Sequence, residues 1–170
     1  MTETIPSAEI ASTEIASTQA LTTETPSTEL PAAELVSAVQ EAVADALGLD
    51  ETDVSPDSTL LGDLGAESID LLDILFRIER RCGVKVQASD IGDRIQGGIP
   101  DEEFGDENEI VTAVGLAQMR KAMPQIDVEG LAGTLRADQV MSLFTVQNLA
   151  SILAEKAAAV GTEAGGNAGT

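Results

Sequence analysis

Two segments of the chain repeat apolar residues at the spacing of an α-helix, and a long connection separates them. In "PAAELVSAVQEAVADALGLD" these residues are Leu35, Val39, Val43 and Leu47. In "SIDLLDILFRIERRCG" they are Leu71, Ile74, Leu75 and Ile78. This spacing places the apolar side chains on one face of each helix. No segment of the sequence has the pattern of a β-strand in a sheet. The pattern therefore restricts the chain to an all-α fold, a small helical bundle around one shared core.

The connection between these helices, "ETDVSPDSTLLGDLGAE", has the Asp, Ser, Gly and Pro content of a long loop. It also contains Leu60, Leu61 and Leu64, which should pin it to the core. A last helix is predicted in "TVQNLASILAEKAAAV", with Thr145 as its N-cap. Its inward-facing residues are expected to be Val146, Leu149, Ile152 and Leu153.

The segment between the second and the last helix has a weaker pattern. We expect an extended piece in "VKVQASDI", a loop in "QGGIPDEEFGDENE", a helix in "EIVTAVGLAQMRKAM" and a small helical turn in "DVEGLAGTLR". In the added helix, Met119 and Met123 are expected to pack in the core, with an adaptable docking surface as the alternative.

Both ends of the chain have the composition of tails. Residues 1–31 are mainly Thr, Ser, Ala, Glu and Pro without a sustained apolar face, which predicts a disordered segment. Residues 161–170 are expected to be flexible, which leaves 32–160 as one folded domain. The sequence shows no signal peptide and no stretch of membrane-spanning length, so we expect a soluble, cytoplasmic protein. We also expect it to be a monomer.

The net charge and the absence of certain residue types limit the classes of function that the chain can have. The formal net charge is -21, and no Lys or Arg precedes Arg77. This balance weighs against nucleic acid and anionic membrane surfaces as partners and favours basic protein surfaces. The chain has no His, Trp or Tyr, so no nucleophile and base can be paired, and we predict that it is not an enzyme. Its single cysteine, Cys82, is expected to be a half-buried residue at a helix end, and no metal site is predicted.

Ser68 lies where the anchored loop meets the start of the second helix. There a hydroxyl should face solvent, and a phosphodiester on it would be favoured by the helix dipole and the free backbone N–H groups. The alternative is that Ser68 only caps the helix, as serine commonly does.

The stretch "LGDLGAESIDLLDILFRIER" resembles the acyl carrier protein family, whose signature is Asp-Ser-Leu at the start of helix two. The matching triplet is Glu67, Ser68 and Ile69, and the resemblance extends over most of residues 33–156. It implies that Ser68 carries a covalent 4'-phosphopantetheine arm, transferred from coenzyme A by a phosphopantetheinyl transferase. The thiol of this arm would hold acyl intermediates as thioesters.

The resemblance also implies partners. In the family, an acidic helix two docks on basic surfaces of ketosynthases, acyltransferases and other acyl-processing enzymes of type II fatty acid, polyketide or specialised lipid biosynthesis. The positions expected to contact them are Glu67, Ile69, Asp70, Asp73, Phe76 and Glu79. A peptidyl or amino-acyl carrier and an unmodified acidic interaction module are the alternatives.

The sequence departs from the family pattern at three places. Glu67 and Ile69 replace the usual Asp and Leu beside the serine. Arg77, Arg80 and Arg81 interrupt the acidic helix, either to suit a different set of partners or to form internal ion pairs. The segment of about 90–142 is longer than the family's third-helix region, and we interpret it as an inserted helical segment before the last helix.

Overall fold

A computed structural model describes residues 32–163 and shows an all-α protein, which confirms the predicted fold class. The α-helices of this range are α1 (Ala32–Leu47), α2 (Ser68–Cys82), α3 (Ala88–Gln96), α4 (Asp101–Phe104), α5 (Ala113–Ala122), α6 (Val128–Leu131) and α7 (Val146–Glu163). Two 3-10 turns, Glu51–Asp53 and Ala137–Leu143, accompany them. No residue from 32 to 163 belongs to a β-strand, and no helix there is long and apolar enough to cross a membrane.

The two predicted tails fall largely outside the described residues. This holds for all of 1–31 and for 164–170. Helix α7 continues to Glu163, three residues beyond the expected end of the domain at residue 160.

Helix α1 packs mainly against α2 and α7, and these three helices form the central bundle. The predicted apolar stripe of α2 is buried in full, and Ile74 and Ile78 have no exposed surface. On α1, Val39 and Val43 are completely buried, whereas Leu47 at the helix end is only partly covered. The inward residues predicted for α7 are all buried as well.

The loop between α1 and α2 is anchored at Leu60, whose side chain is fully buried. Leu61 and Leu64 are partly buried against the same core. Backbone hydrogen bonds add to this anchor: the Leu60 N–H donates to the Phe144 carbonyl at 2.9 Å, and the Val146 N–H donates to the Ser58 carbonyl at 3.0 Å. The loop is therefore tied to the chain just before α7.

The expected extended piece "VKVQASDI" is wrong in its second half, because α3 already begins at Ala88. The Gln87 N–H donates to the Asp90 carboxylate at 2.7 Å, which caps the helix start. Ile91 and Ile95, one turn apart, then bury their side chains in the core. The following stretch was expected to be a loop throughout, but it contains the short helix α4.

The inserted segment packs on the bundle through α5, which contacts α3. Thr112 caps α5, since its hydroxyl oxygen accepts the Gly115 N–H at 3.1 Å. Met119 and Met123 are fully buried, which confirms core packing and rules out the docking surface considered for them. Together with Phe104 they belong to the same hydrophobic cluster as the central bundle, so the insertion shares one core with it.

A buried polar cluster joins the insertion to the start of α7. The Asn148 Oδ1 accepts hydrogen bonds from the Thr145 N–H at 3.0 Å, the Thr145 hydroxyl at 2.9 Å and Gln125 Nε2 at 2.7 Å. The Asn148 N–H in turn donates to the Thr145 Oγ1 at 3.2 Å, which confirms Thr145 as the N-cap. Only 4% of Thr145 and 5% of Asn148 are exposed, so the bonds between these two residues are shielded from water, whereas Gln125 is exposed.

Asn148→Ala is expected to lower the free energy of unfolding by roughly 2 kcal/mol, because it leaves the buried Thr145 N–H without an acceptor. Urea denaturation of both proteins measures this difference. Gln147→Ala is the matched control, since the neighbouring Gln147 side chain is exposed on the same helix. Equal losses in the two variants would contradict the prediction.

Candidate functional site

The start of α2 is capped by Asp70. The Glu67 N–H donates to the Asp70 Oδ2 at 2.8 Å, so Glu67 is the N-cap residue and Ser68 is the first residue of the helix. The Ser68 side chain is exposed and makes no hydrogen bond to any residue of the described range. The interpretation of Ser68 as the helix cap is therefore wrong, because the Asp70 carboxylate caps the helix instead.

The chain approaching Ser68 is held in place on the loop side. Gly65 has a φ of +68°, in the left-handed region that glycine adopts without strain. Ala66 is buried, and its N–H donates to the Leu60 carbonyl at 2.9 Å. A fixed loop and a capped helix therefore meet at an exposed hydroxyl.

This position suits a phosphodiester. The first helical hydrogen bond of α2 runs from the Leu71 N–H to the Glu67 carbonyl at 3.1 Å, so the N–H groups of Ser68 and Ile69 precede it and remain available. They lie at the positive end of the helix dipole, where a phosphate is stabilised. The residues present at this helix start therefore fit a covalently attached phosphopantetheine.

An apolar stripe runs along the outer face of α2. Ile69 is 71% exposed and Phe76 is 56% exposed, at two of the positions expected to contact partners. Leu72, 58% exposed, lies between them and was missed. The sequence does contain a pattern that predicts this position, because residues 69, 72 and 76 have the i, i+3, i+7 spacing of one helix face. The adjacent Leu71, which belongs to the buried stripe, obscured it.

The acidic positions predicted on α2 are partly engaged within the protein. One Asp70 oxygen accepts the hydrogen bond that caps the helix. The Asp73 carboxylate pairs with Arg77 at 2.9 Å, as the helical spacing predicted. Glu67 is exposed, and Glu79 is half-buried. Three of these acids lie on α2 and Glu67 is its N-cap residue, but together they present less free negative charge than the sequence indicates.

The other two arginines of α2 have separate roles. Arg81 bridges to Glu41 and Asp45 of α1 and so ties the two helices together. The Arg80 guanidinium lies over the Phe76 ring, 5.8 Å from its centroid, and forms no ion pair with any described residue. Of the internal ion pairs considered for the arginines, the described residues therefore show those of Arg77 and Arg81 and none for Arg80.

A groove of about 390 Å³ runs beside the apolar stripe. It lies between α2 and the connection to α3, and its lining residues include Leu72, Leu75, Phe76, Glu79 and Val86. This groove adds concave apolar surface next to the exposed side chains.

Cys82 ends α2 and is partly buried, as predicted. Burial raises the pKa of its thiol above the ordinary value, although the neighbouring Arg81 charge lowers that pKa in part. A thiol of this kind forms little thiolate at neutral pH and is a poor nucleophile.

Comparison with known proteins identifies relatives of the chain. Residues 37–94 match the family described as "Phosphopantetheine attachment site". The acyl carrier protein of Thermotoga maritima is 40% identical over 55 residues, which cover 32% of this chain and 68% of that protein. The acyl carrier protein AcpXL of Brucella melitensis is 31% identical over 67 residues, which cover 39% of this chain and 72% of the relative. No solved structure matches the chain.

The family match begins in α1 and ends in α3, so it contains Ser68 and all of α2, whereas α4, α5 and α6 lie outside it. Proteins of this kind bind 4'-phosphopantetheine covalently and are carriers, not enzymes. With two thirds of a relative covered at 40% identity, the chain belongs to the acyl carrier protein family.

Proposed function

We propose that Ser68 is the attachment point of the 4'-phosphopantetheine arm. The observation that carries this proposal is the exposed Ser68 hydroxyl, without a hydrogen bond to any described residue, at the first position of α2 and inside the matched range 37–94. Because Asp70 caps the helix, the hydroxyl can be modified without loss of the cap.

The transfer is a phosphoryl substitution catalysed by a phosphopantetheinyl transferase. Ser68 Oγ attacks the phosphorus that bears the pantetheine half of coenzyme A, and its proton passes to a base of the transferase. The phosphoanhydride bond breaks, and adenosine bisphosphate leaves. When bound, the arm supplies a thiol that holds an acyl group as a thioester.

The pathway we propose is type II fatty acid, polyketide or specialised lipid biosynthesis, in the cytoplasm and with the chain as a monomer. Partners would be ketosynthases, acyltransferases and other acyl-processing enzymes. The relatives named acyl carrier proteins support an acyl group as the cargo. The exposed residues of α2, with Glu67, Ile69 and Phe76 among them, would form the contact surface.

A peptidyl or amino-acyl carrier is the second candidate, favoured by one observation. Between residues 67 and 82, α2 and its cap contain four acids and three arginines, so this helix is nearly neutral. Strong acidity of α2 therefore does not separate the two classes. Mass spectrometry of the native thioester would, since an amino-acyl cargo has an amine that an acyl chain lacks.

Incubation with coenzyme A, Mg²⁺ and a permissive transferase is expected to add one phosphopantetheine to the wild type and none to Ser68→Ala. Intact mass measures the addition. Ser89→Ala is the matched control, because Ser89 is an exposed serine in the first turn of α3 behind the same kind of Asp cap. It should be modified as fully as the wild type.

Two results would contradict the proposal. One is no mass gain on the wild type with several transferases, which favours an unmodified interaction module. The other is an equal gain on Ser68→Ala, which would move the attachment to another residue.

The loaded protein is expected to react with iodoacetamide first on the arm and only slowly at Cys82. The raised pKa of the Cys82 thiol keeps its thiolate fraction low at neutral pH, and reactivity should rise only at alkaline pH. Peptide mapping after timed alkylation measures both rates, with Cys82→Ala as the control. Faster labelling of Cys82 in the folded protein than in the urea-unfolded protein would contradict this prediction.

A further inference from the structure

We propose that α2 recognises a partner surface of divided charge: basic opposite the Ser68 end of the helix and acidic opposite Arg80. The inference rests on the proposed role of Ser68 and specifies the partner that this arm would visit. It concerns the outer face of α2, defined by Ile69, Leu72, Asp73, Phe76 and Arg80.

These five residues share one side of the helix. Relative to Ile69, they follow at intervals of 3, 4, 7 and 11 residues, which return to the same face of an α-helix. Leu71 and Ile74, by contrast, point into the core. A partner that docks on this face therefore meets Arg80 together with the apolar stripe.

The charge changes sign along this face. Exposed Glu67, the N-cap residue, and half-exposed Asp70 lie beside the Ser68 end of this face. In the middle, the pairing of Asp73 with Arg77 cancels both charges locally. Arg80 stands at the far end, exposed and without an ion pair in the described range, and its guanidinium lies over the Phe76 ring. The neighbouring acid, Glu79, is half-buried and lines the groove beside the stripe, so Arg80 is the more exposed charge at this end.

The two ends are far enough apart to be recognised separately. Asp70 and Arg80 are ten residues apart, which is about 15 Å along a helix. The Debye length at physiological salt is about 8 Å, which is shorter than this separation. A partner cation near Ser68 therefore has little effect on how Arg80 interacts with a second partner charge placed near it. A uniformly basic surface would be repelled at the far end, whereas an acidic group there would pair with Arg80.

The test uses a ketosynthase with a uniformly Lys- and Arg-lined docking rim as the probe. The chain is first loaded at Ser68 with a pantetheine analogue that crosslinks to the ketosynthase cysteine, and crosslinking rates are measured at low and high salt. Arg80→Glu is expected to raise the low-salt rate about fivefold, and Arg80→Gln less, because a like-charge contact is removed. High salt should remove most of the difference.

Arg120→Glu is the matched control. Arg120 is an exposed arginine on α5 with no ion pair in the described range, so this variant makes the same change of net charge away from α2. It should change the rate less than twofold. In a second arm, each rim cation of the ketosynthase is replaced by Glu in turn. At one rim position, the replacement should raise the crosslinking rate of the wild-type chain and lower that of Arg80→Glu.

Equal responses of Arg80→Glu and Arg120→Glu, or slower crosslinking of Arg80→Glu to the basic rim, would overturn the inference. Intact mass before crosslinking separates this failure from that of the proposed function. A chain that is not loaded at Ser68 overturns both, whereas a loaded chain without the charge preference overturns only the divided surface.

Discussion

The pairing of the α1–α2 loop with the chain before α7 holds the rest of the structure in register. Leu60 fills the core beneath this pairing, and the backbone bonds of residues 58 and 60 to 144 and 146 fix the loop above it. The loop then delivers Ala66 and Ser68 to the start of α2. On the other side, the Asn148 cluster ties Gln125 of the inserted segment to the same point. Presentation of the serine and attachment of the insertion thus depend on one junction.

Helical periodicity predicted α1, α2 and α7 because each buries one face against the others. The α2 stripe, the leucine-anchored loop and the Thr145 cap followed from residue spacing and from capping chemistry alone. The start of α3 did not, because "VKVQASDI" contains too few residues for a period to show. Its decisive feature is a single hydrogen bond from the Gln87 N–H to Asp90.

Pairing between side chains accounts for the other differences at the site. The sequence shows how many acids α2 contains, but not that Asp70 is used as a cap and Asp73 as the partner of Arg77. Nor does it show that Arg81 turns toward α1 while Arg80 stays on the outer face. The partner that each of these side chains takes depends on which helices are adjacent in the fold. Formal charge therefore overstates the acidity that a partner meets on α2.

The N-terminus of α3 shows what the α2 site requires beyond a capped helix. Each helix follows an N-cap residue whose N–H donates to an aspartate three positions later, and each has an exposed serine in its first turn. Ser89 follows a short connection and is the second residue of its helix, whereas Ser68 is the first residue after a loop fixed at Leu60 and Ala66. An exposed Ile69 stands directly beside Ser68. Both serines are therefore exposed behind a capped helix start. The anchored loop and the adjacent apolar stripe distinguish Ser68 from Ser89, and they support Ser68 as the attachment point that we propose.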